Sequence, residues 1–300
     1  MSKVIFMFPG QGNQNNKMLV PLRSYQIPEA METFKEVSDV CGFDVIDLIE
    51  NKSQEVLNCT KYTQLIIFAT DMAYFRALKA MDIVPDVVAG HSIGEYAAFT
   101  AAGILDFHEA CHLIKERARL MNEIPVSGGL CALRSNNIDL EIINKVCSRI
   151  EKEGEILAPA LFNSPKQIIF GGTEKALQRL CEEMNAFPNV FIKRLAVGQA
   201  FHTALLYPMV DEFSSLVSAI KIDSPEFPIL LNCTGQYYGG EGCEDDIRKE
   251  LIDQCFRPVM WSDIVNKRIS LESPNFVEVG PGHSLTSQLK SYAISGKRYI

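Results

Sequence analysis

No stretch of this chain approaches the ~18 uninterrupted apolar residues that a membrane-spanning helix needs. There is no basic excess either. Lys and Arg total 29 against 37 Asp and Glu, a net charge of −8. A surface of that sign has no general electrostatic reason to bind nucleic acid or an anionic membrane, so any anionic ligand needs a local cationic site. The nine cysteines include no C-x-x-C pair and their number is odd. That suits reduced thiols in a cytoplasmic protein better than a disulfide framework or a zinc ribbon. The opening "MSKVIFMFPGQG" has an apolar run too short for a signal peptide and reads as a buried first strand. "GQG" (10–12) lacks the third glycine of a dinucleotide fingerprint, so no cofactor is expected. There are no repeats or low-complexity tracts.

What is present is enough apolar material for a large core: 300 residues, 47% hydrophobic. Short β-like runs alternate with helical patterns, which points to an α/β sheet. "VIFMF" (4–8) is the first strand, residues 60–81 a long helix, "VPDVVAG" (84–90) a second strand, and "GEYAAFTAAGIL" (94–105) is helical. Then the pattern becomes strand "LCALR", helix 138–153, strand "ILAPALF", strand "KQIIFGG", helix 174–186, strand "VFIKRLA". That βαββαβ order is ferredoxin-like. The expected architecture is a hydrolase-like α/β subdomain with a parallel sheet, residues 1–124 and 197–300, carrying an inserted ferredoxin-like subdomain at 125–196. "YYGGEGCEDD" (237–246) reads as a surface loop.

The segment "AGHSIGEYAA" (89–98) puts Ser92 in a G-x-S-x-G pattern between a strand and a helix. Such a turn projects the serine Oγ off the end of the sheet, the flanking glycines avoid collisions, and the helix N-terminus favours developing negative charge. A serine nucleophile needs a base. Of the five histidines, His91 adjoins the serine but should point elsewhere. His202, in "GQAFHTALL", sits where a strand-like segment gives way to a helical one, a junction that can face a cleft.

The helical segment 108–122 has an apolar stripe of Ala110, Leu113, Ile114, Leu120 and Met121, and Arg117 falls inside it. A guanidinium among core positions is costly unless an anion or several acceptors meet it. It reads either as a structural ion pair or as a bidentate carboxylate receptor. Arg119 lies on the outer side. The same helix opens with "HEACH", formally a zinc-protease pattern. At about 100° per residue, His108 and His112 lie opposite Arg117 on the polar face, and no third ligand stands out, so no metal site is expected.

Together these segments resemble the malonyl-CoA:acyl carrier protein transacylase family, which includes acyltransferases of fatty acid and polyketide synthesis. "FPGQGNQ" (8–14), "GHSIGEYAA" (90–98), "RARLM" (117–121), "NSPKQIIFGG" (163–172), "AFHT" (200–203), "QCFRPVMW" (254–261) and "EVGPG" (278–282) match its motifs in order over nearly the whole chain. The resemblance implies that Ser92 is acylated and His202 is its base, with Gln254 beside the histidine, whose ring is oriented by carbonyl oxygens rather than by a third acid. It implies that the backbone amides of Gln11 and Ile93 form the oxyanion hole, that Arg117 holds a malonyl carboxylate, and that Phe201 disfavours α-branched acyl groups. The donor would be malonyl-CoA, the acceptor a holo acyl carrier protein, and the chain a monomer. Lys193 and Arg194 are the candidate basic patch for the carrier.

The chain departs from the family pattern in "VGQAFHT" before and at Thr203, and in a compressed "NEIPVSGGLCAL" (122–133). These departures point to a trans-acting acyltransferase of polyketide synthesis. Two other readings compete. An editing acyl hydrolase, which clears stalled carrier proteins, shares the serine and histidine but lacks the carboxylate-binding arginine. A non-catalytic docking protein would not need Ser92, His202, Gln11 and Arg117 together.

Overall fold

A computed structural model describes residues 3–125, 128–239, 244–269, 274–297 and 299. Its strands, in chain order, are β1 (Val4–Phe8), β2 (Val87–Gly90), β3 (Gly128–Ser135), β4 (Leu157–Ser164), β5 (Gln167–Thr173), β6 (Val190–Arg194), β7 (Ile229–Leu230), β8 (Tyr237–Tyr238), β9 (Asn275–Glu278) and β10 (Gly296–Lys297). They form two sheets. The first has the order β10-β9-β1-β2-β7-β8, parallel throughout except for the β7–β8 pair. β1 and β2 lie at its centre and are buried almost end to end, which is why they read as continuous apolar runs rather than alternating ones.

The second sheet has the order β4-β5-β3-β6 and every pairing in it is antiparallel. With helices Leu140–Glu151 and Glu174–Met184 it completes the ferredoxin-like unit expected from the sequence. Alternation along β3 explains how the unit is attached. Cys131 and Leu133 face its own small core, with Val146, Ile150, Leu177 and Leu180. Leu130 and Ala132 face the other way and join the main core. β4 is also tied directly to the larger sheet's side of the molecule. Phe162 N–H donates to Val259 O at 2.9 Å, and Val259 N–H donates to Ala160 O at 2.9 Å.

Two elements are shorter than the sequence suggests. The second strand begins at Val87, and the helix after Ser92 stops at Ala101, where the chain turns through Gly103 at φ +74°. The segment 237–246, expected to be a loop, holds secondary structure at both ends. Tyr237 and Tyr238 pair with β7, and a helix runs from Glu244 to Asp253, while residues 240–243 lie outside the described residues. Among the described residues no helix is long and apolar enough to cross a membrane.

Candidate active site

Parallel pairing sets the geometry. Because β1 and β2 are neighbours running the same way, the loop after β1 (Pro9–Gly12) and the turn after β2 (His91–Gly94) meet at the same end of the sheet. His91 N–H donates to Phe8 O at 2.9 Å and fastens the two. The turn is too tight for side chains at its flanks. A Cβ on Gly90 would lie 2.2 Å from the backbone of Gly94 and Glu95, and one on Gly94 would lie 2.2 Å from Phe8 O. Ser92 itself sits at φ +54°, a left-handed conformation that non-glycine residues seldom adopt and that recurs at functional sites.

The structure brings Ser92 and His202 together. Ser92 Oγ lies 2.7 Å from His202 Nε2. On the far side of the ring, His202 Nδ1 donates to the backbone carbonyl of Gln254 at 2.6 Å. That bond leaves Nε2 as the acceptor that faces the serine. His202 also has positive φ, +60°, in the turn before a 3₁₀ helix (Ala204–Met209). Thr203 caps that helix by accepting from Leu205 N–H, so threonine keeps the hydroxyl function in place of serine. The imidazole is buried, and desolvation, reinforced by the nearby Arg117 charge, pushes its pKa down to about 3. At neutral pH it is an unprotonated ring poised to accept a proton.

Arg117 is 2% exposed, as its position in the apolar stripe requires. It donates to Gln64 Oε1, and through Nη2 to Gln254 Oε1 at 2.7 Å, and its guanidinium lies 5.4 Å from the centre of the Tyr96 ring. Its Nε has no partner among the described residues, and none of their ion pairs includes it. Arg119, on the outer side, is held by Glu116, Glu123 and Glu212. His108 and His112 are exposed on the polar side of this helix, as the periodicity indicates.

A cleft of about 510 Å³ opens over the serine. Ser92, His202, Gln11 and Phe201 line it, with polar Gln14, Asn58 and Asn163 on its walls and apolar Leu130, Ile169 and Leu195 contributed by the second sheet and the segment after it. The amide of Ser92 is occupied by Asn232 Oδ1 at 2.8 Å. The backbone amides of Gln11 and Ile93 donate to no group among the described residues. Ile93 precedes a helix (Gly94–Ala101) whose N-terminal dipole end lies beside the serine, although the first helical N–H groups are taken by backbone carbonyls.

Four polar residues at the site were not singled out by sequence reasoning. Asn232 bridges Ser92 N–H and Gly90 O, the latter at 2.6 Å. Glu95 accepts from Asn232 N–H at 2.8 Å and from Gln254 Nε2 at 2.8 Å. Asn163 receives His91 Nε2 at 2.8 Å, which turns that ring away from the serine as expected. Gln64 carried a usable signal, since it is a polar residue inside the apolar run of the 60–81 helix, as Arg117 is in its own. Of the basic pair on β6, Arg194 is already bound to Glu174 at 2.5 Å, which leaves Lys193 as the exposed cation there.

Residues 5–296 match the acyl transferase domain family. The chain is similar to the malonyl CoA-acyl carrier protein transacylase of Haemophilus influenzae, at 35% identity over 97% of this chain and 92% of that protein. It is 31% identical to the Bacillus subtilis protein of the same name over 97% of this chain and 90% of that one. Among solved structures, the Coxiella burnetii malonyl CoA-acyl carrier protein transacylase matches with a TM-score of 0.92 at 31% identity, covering 98% of this chain and 92% of that one. A malonyl-transacylase solved with a type II polyketide synthase acyl-carrier protein also matches with a TM-score of 0.92 at 31% identity, over 99% of this chain and 95% of that one.

Proposed function

The chain belongs to the acyl transferase domain family and is an acyltransferase enzyme; from that premise we propose that it moves a malonyl group from malonyl-CoA to the phosphopantetheine thiol of an acyl carrier protein through a malonyl-serine. The observation that carries the choice of acyl group is the buried Arg117, which pairs with no carboxylate among the described residues and lies two hydrogen bonds away from the nucleophile: Arg117 to Gln254, Gln254 to Ser92 O at 2.9 Å. A cation in that position is matched by a free carboxylate at the distal end of the acyl chain.

The geometry supports the following steps. His202 Nε2 takes the Ser92 proton as Oγ attacks the thioester carbonyl. The amides of Gln11 and Ile93 stabilise the tetrahedral oxyanion, and losing one such donor typically costs on the order of 3 kcal/mol. CoA leaves as the thiol, taking the proton from His202. The carrier's thiol then attacks the malonyl-serine by the same route in reverse, so kinetics are ping-pong. Arg117 fixes the acyl group by its far end, which limits productive approach of water to the ester. Phe201, buried at the cleft wall, leaves little room for an α-methyl branch. The expected departures near Thr203, together with the likeness to the polyketide carrier's partner, support a role in trans in polyketide synthesis.

Intact-protein mass spectrometry after brief incubation with malonyl-CoA, acetyl-CoA and methylmalonyl-CoA tests this. The expected result is a malonyl adduct that is absent in Ser92→Ala and is discharged by holo carrier protein. A methylmalonyl adduct of equal yield would remove the role given to Phe201. No malonyl adduct, with hydrolysis of acyl-carrier thioesters instead, would establish the editing hydrolase.

A further inference from the structure

Directly behind Ser92, two carboxylic acids are buried against each other. Glu95 lies on the helix that follows the nucleophile, and Glu250 on the helix Glu244–Asp253. Neither pairs with a cation; among the described residues no ion pair includes either. Instead their side chains hydrogen-bond to one another. Two carboxylates can do that only with a proton between them. The other hydrogen bonds to the pair among the described residues come from donors. Asn232 N–H and Gln254 Nε2 donate to Glu95, each at 2.8 Å, and Cys233 N–H donates to Glu250 at 2.6 Å.

We propose that Glu95 and Glu250 are a proton-sharing pair that positions the Gln254 amide and, through it, aims Arg117 at the acyl carboxylate. The argument is one of hydrogen-bond polarity. An amide has one accepting end and one donating end. Glu95 Oε2 and Ser92 O are both acceptors, so they demand the Nε2 end of Gln254, at 2.8 and 2.9 Å. That forces Oε1 toward Arg117 Nη2. The backbone of the same residue anchors His202. Were the amide reversed, its N–H groups would face the guanidinium, and Arg117 would lose one of its two acceptors. The pair thus sets receptor geometry without touching substrate. This inference rests on Arg117 being the carboxylate receptor.

The shared proton keeps the pair at a single negative charge, and it is held firmly. Burial, then the Glu250 charge, raises the Glu95 carboxyl well above the usual carboxylate range. Charged and titratable groups around it are few: Asp253 and Cys233 beside Glu250, Arg117 with Tyr96 and Cys255 beyond Gln254, and His202 past its carbonyl. As pH rises through the raised pKa the proton leaves, and the dianionic pair weakens the field of Arg117.

The test is the substrate preference of Glu95→Gln. Its side chain must accept from Asn232, which turns its own NH₂ toward Gln254 and reverses that amide. The ratio of kcat/KM for malonyl-CoA over acetyl-CoA in the acylation half-reaction should fall by about tenfold or more, mainly through KM for malonyl-CoA. An equal loss with both substrates would mean a structural role only and would overturn the proposal, as would an unchanged ratio. A wild-type enzyme that prefers neither substrate would overturn the receptor reading and this inference together. If Glu95→Gln does not fold, Glu250→Gln decides. Wild type should show KM for malonyl-CoA, but not for acetyl-CoA, rising at alkaline pH. Glu250→Gln, with one carboxyl left and no dianion to form, should lose that rise; its persistence would overturn the pairing.

Discussion

Arg117 and His202 are joined through one residue. The side-chain oxygen of Gln254 accepts from Arg117 at 2.7 Å, and its backbone oxygen accepts from His202 at 2.6 Å. The group proposed to read the acyl chain and the group proposed to activate the serine are therefore held by the same glutamine. That coupling makes their energetics separable by experiment, because one contact is made by a side chain and the other by the main chain.

Removing the cation should change selectivity before it changes chemistry. Arg117→Ala is expected to lower kcat/KM for malonyl-CoA by roughly 10²-fold, since a charge-assisted bidentate contact is worth about 2–3 kcal/mol. Acylation by acetyl-CoA should fall far less. Parallel acylation rates by rapid-quench mass spectrometry check this, and equal discrimination in wild type and variant would remove the role assigned to Arg117.

The acid limb of the pH profile follows from the depressed His202. A base must be unprotonated to act, and kcat/KM reports the free enzyme. With its pKa pushed down to about 3, the imidazole stays neutral as pH falls through 6.5, the value of an unperturbed histidine. Acylation by an uncharged ester should therefore persist well below pH 6. Because the Arg117 charge contributes to the depression, Arg117→Ala should move the limb to higher pH. A limb at the ordinary histidine value in wild type would show that burial does not govern this ring.

Asn232 ties the elbow to the end of β7. Replacing this fully buried residue with leucine takes their partner from Ser92 N–H, at the floor of the cleft, and from the buried Gly90 O. Each orphaned group costs about 1–3 kcal/mol. Urea denaturation should show a loss in that range, with slower acyl-serine formation by about tenfold. Wild-type stability in this variant would mean that water or a neighbour takes over both bonds.

Gly94 has no room for one more carbon. A Cβ there would meet Phe8 O at 2.2 Å and Pro9 O at 2.6 Å, both backbone atoms that cannot swing aside. Gly94→Ala should cost about 1–3 kcal/mol or more through forced backbone shifts. Because the displaced strand end leads to Gln11, acylation should fall more steeply than stability. Thermal melts and burst kinetics on one preparation separate the two effects.

Much of this was legible in the chain itself, for local reasons. The G-x-S-x-G turn could be read because both glycines are demanded by contacts within a few residues and by one neighbouring strand. Arg117 stood out because a charge inside a 3.6-residue apolar stripe violates a local pattern, and the violation survives whatever packs against it. The βαββαβ order announced the second sheet because periodicity is also local. What only the tertiary structure decided is how distant polar groups meet. Asn232 and Glu250 come from a turn and a helix some 140 residues or more beyond Ser92 and Glu95, and nothing in their own neighbourhoods marks them; the motif around Gln254 marked that residue, but not the partners its amide would meet. A buried hydrogen bond is settled by the directions of both partners. The backbone of β7 and of helix Glu244–Asp253 supplies those directions, and no spacing along the sequence encodes them.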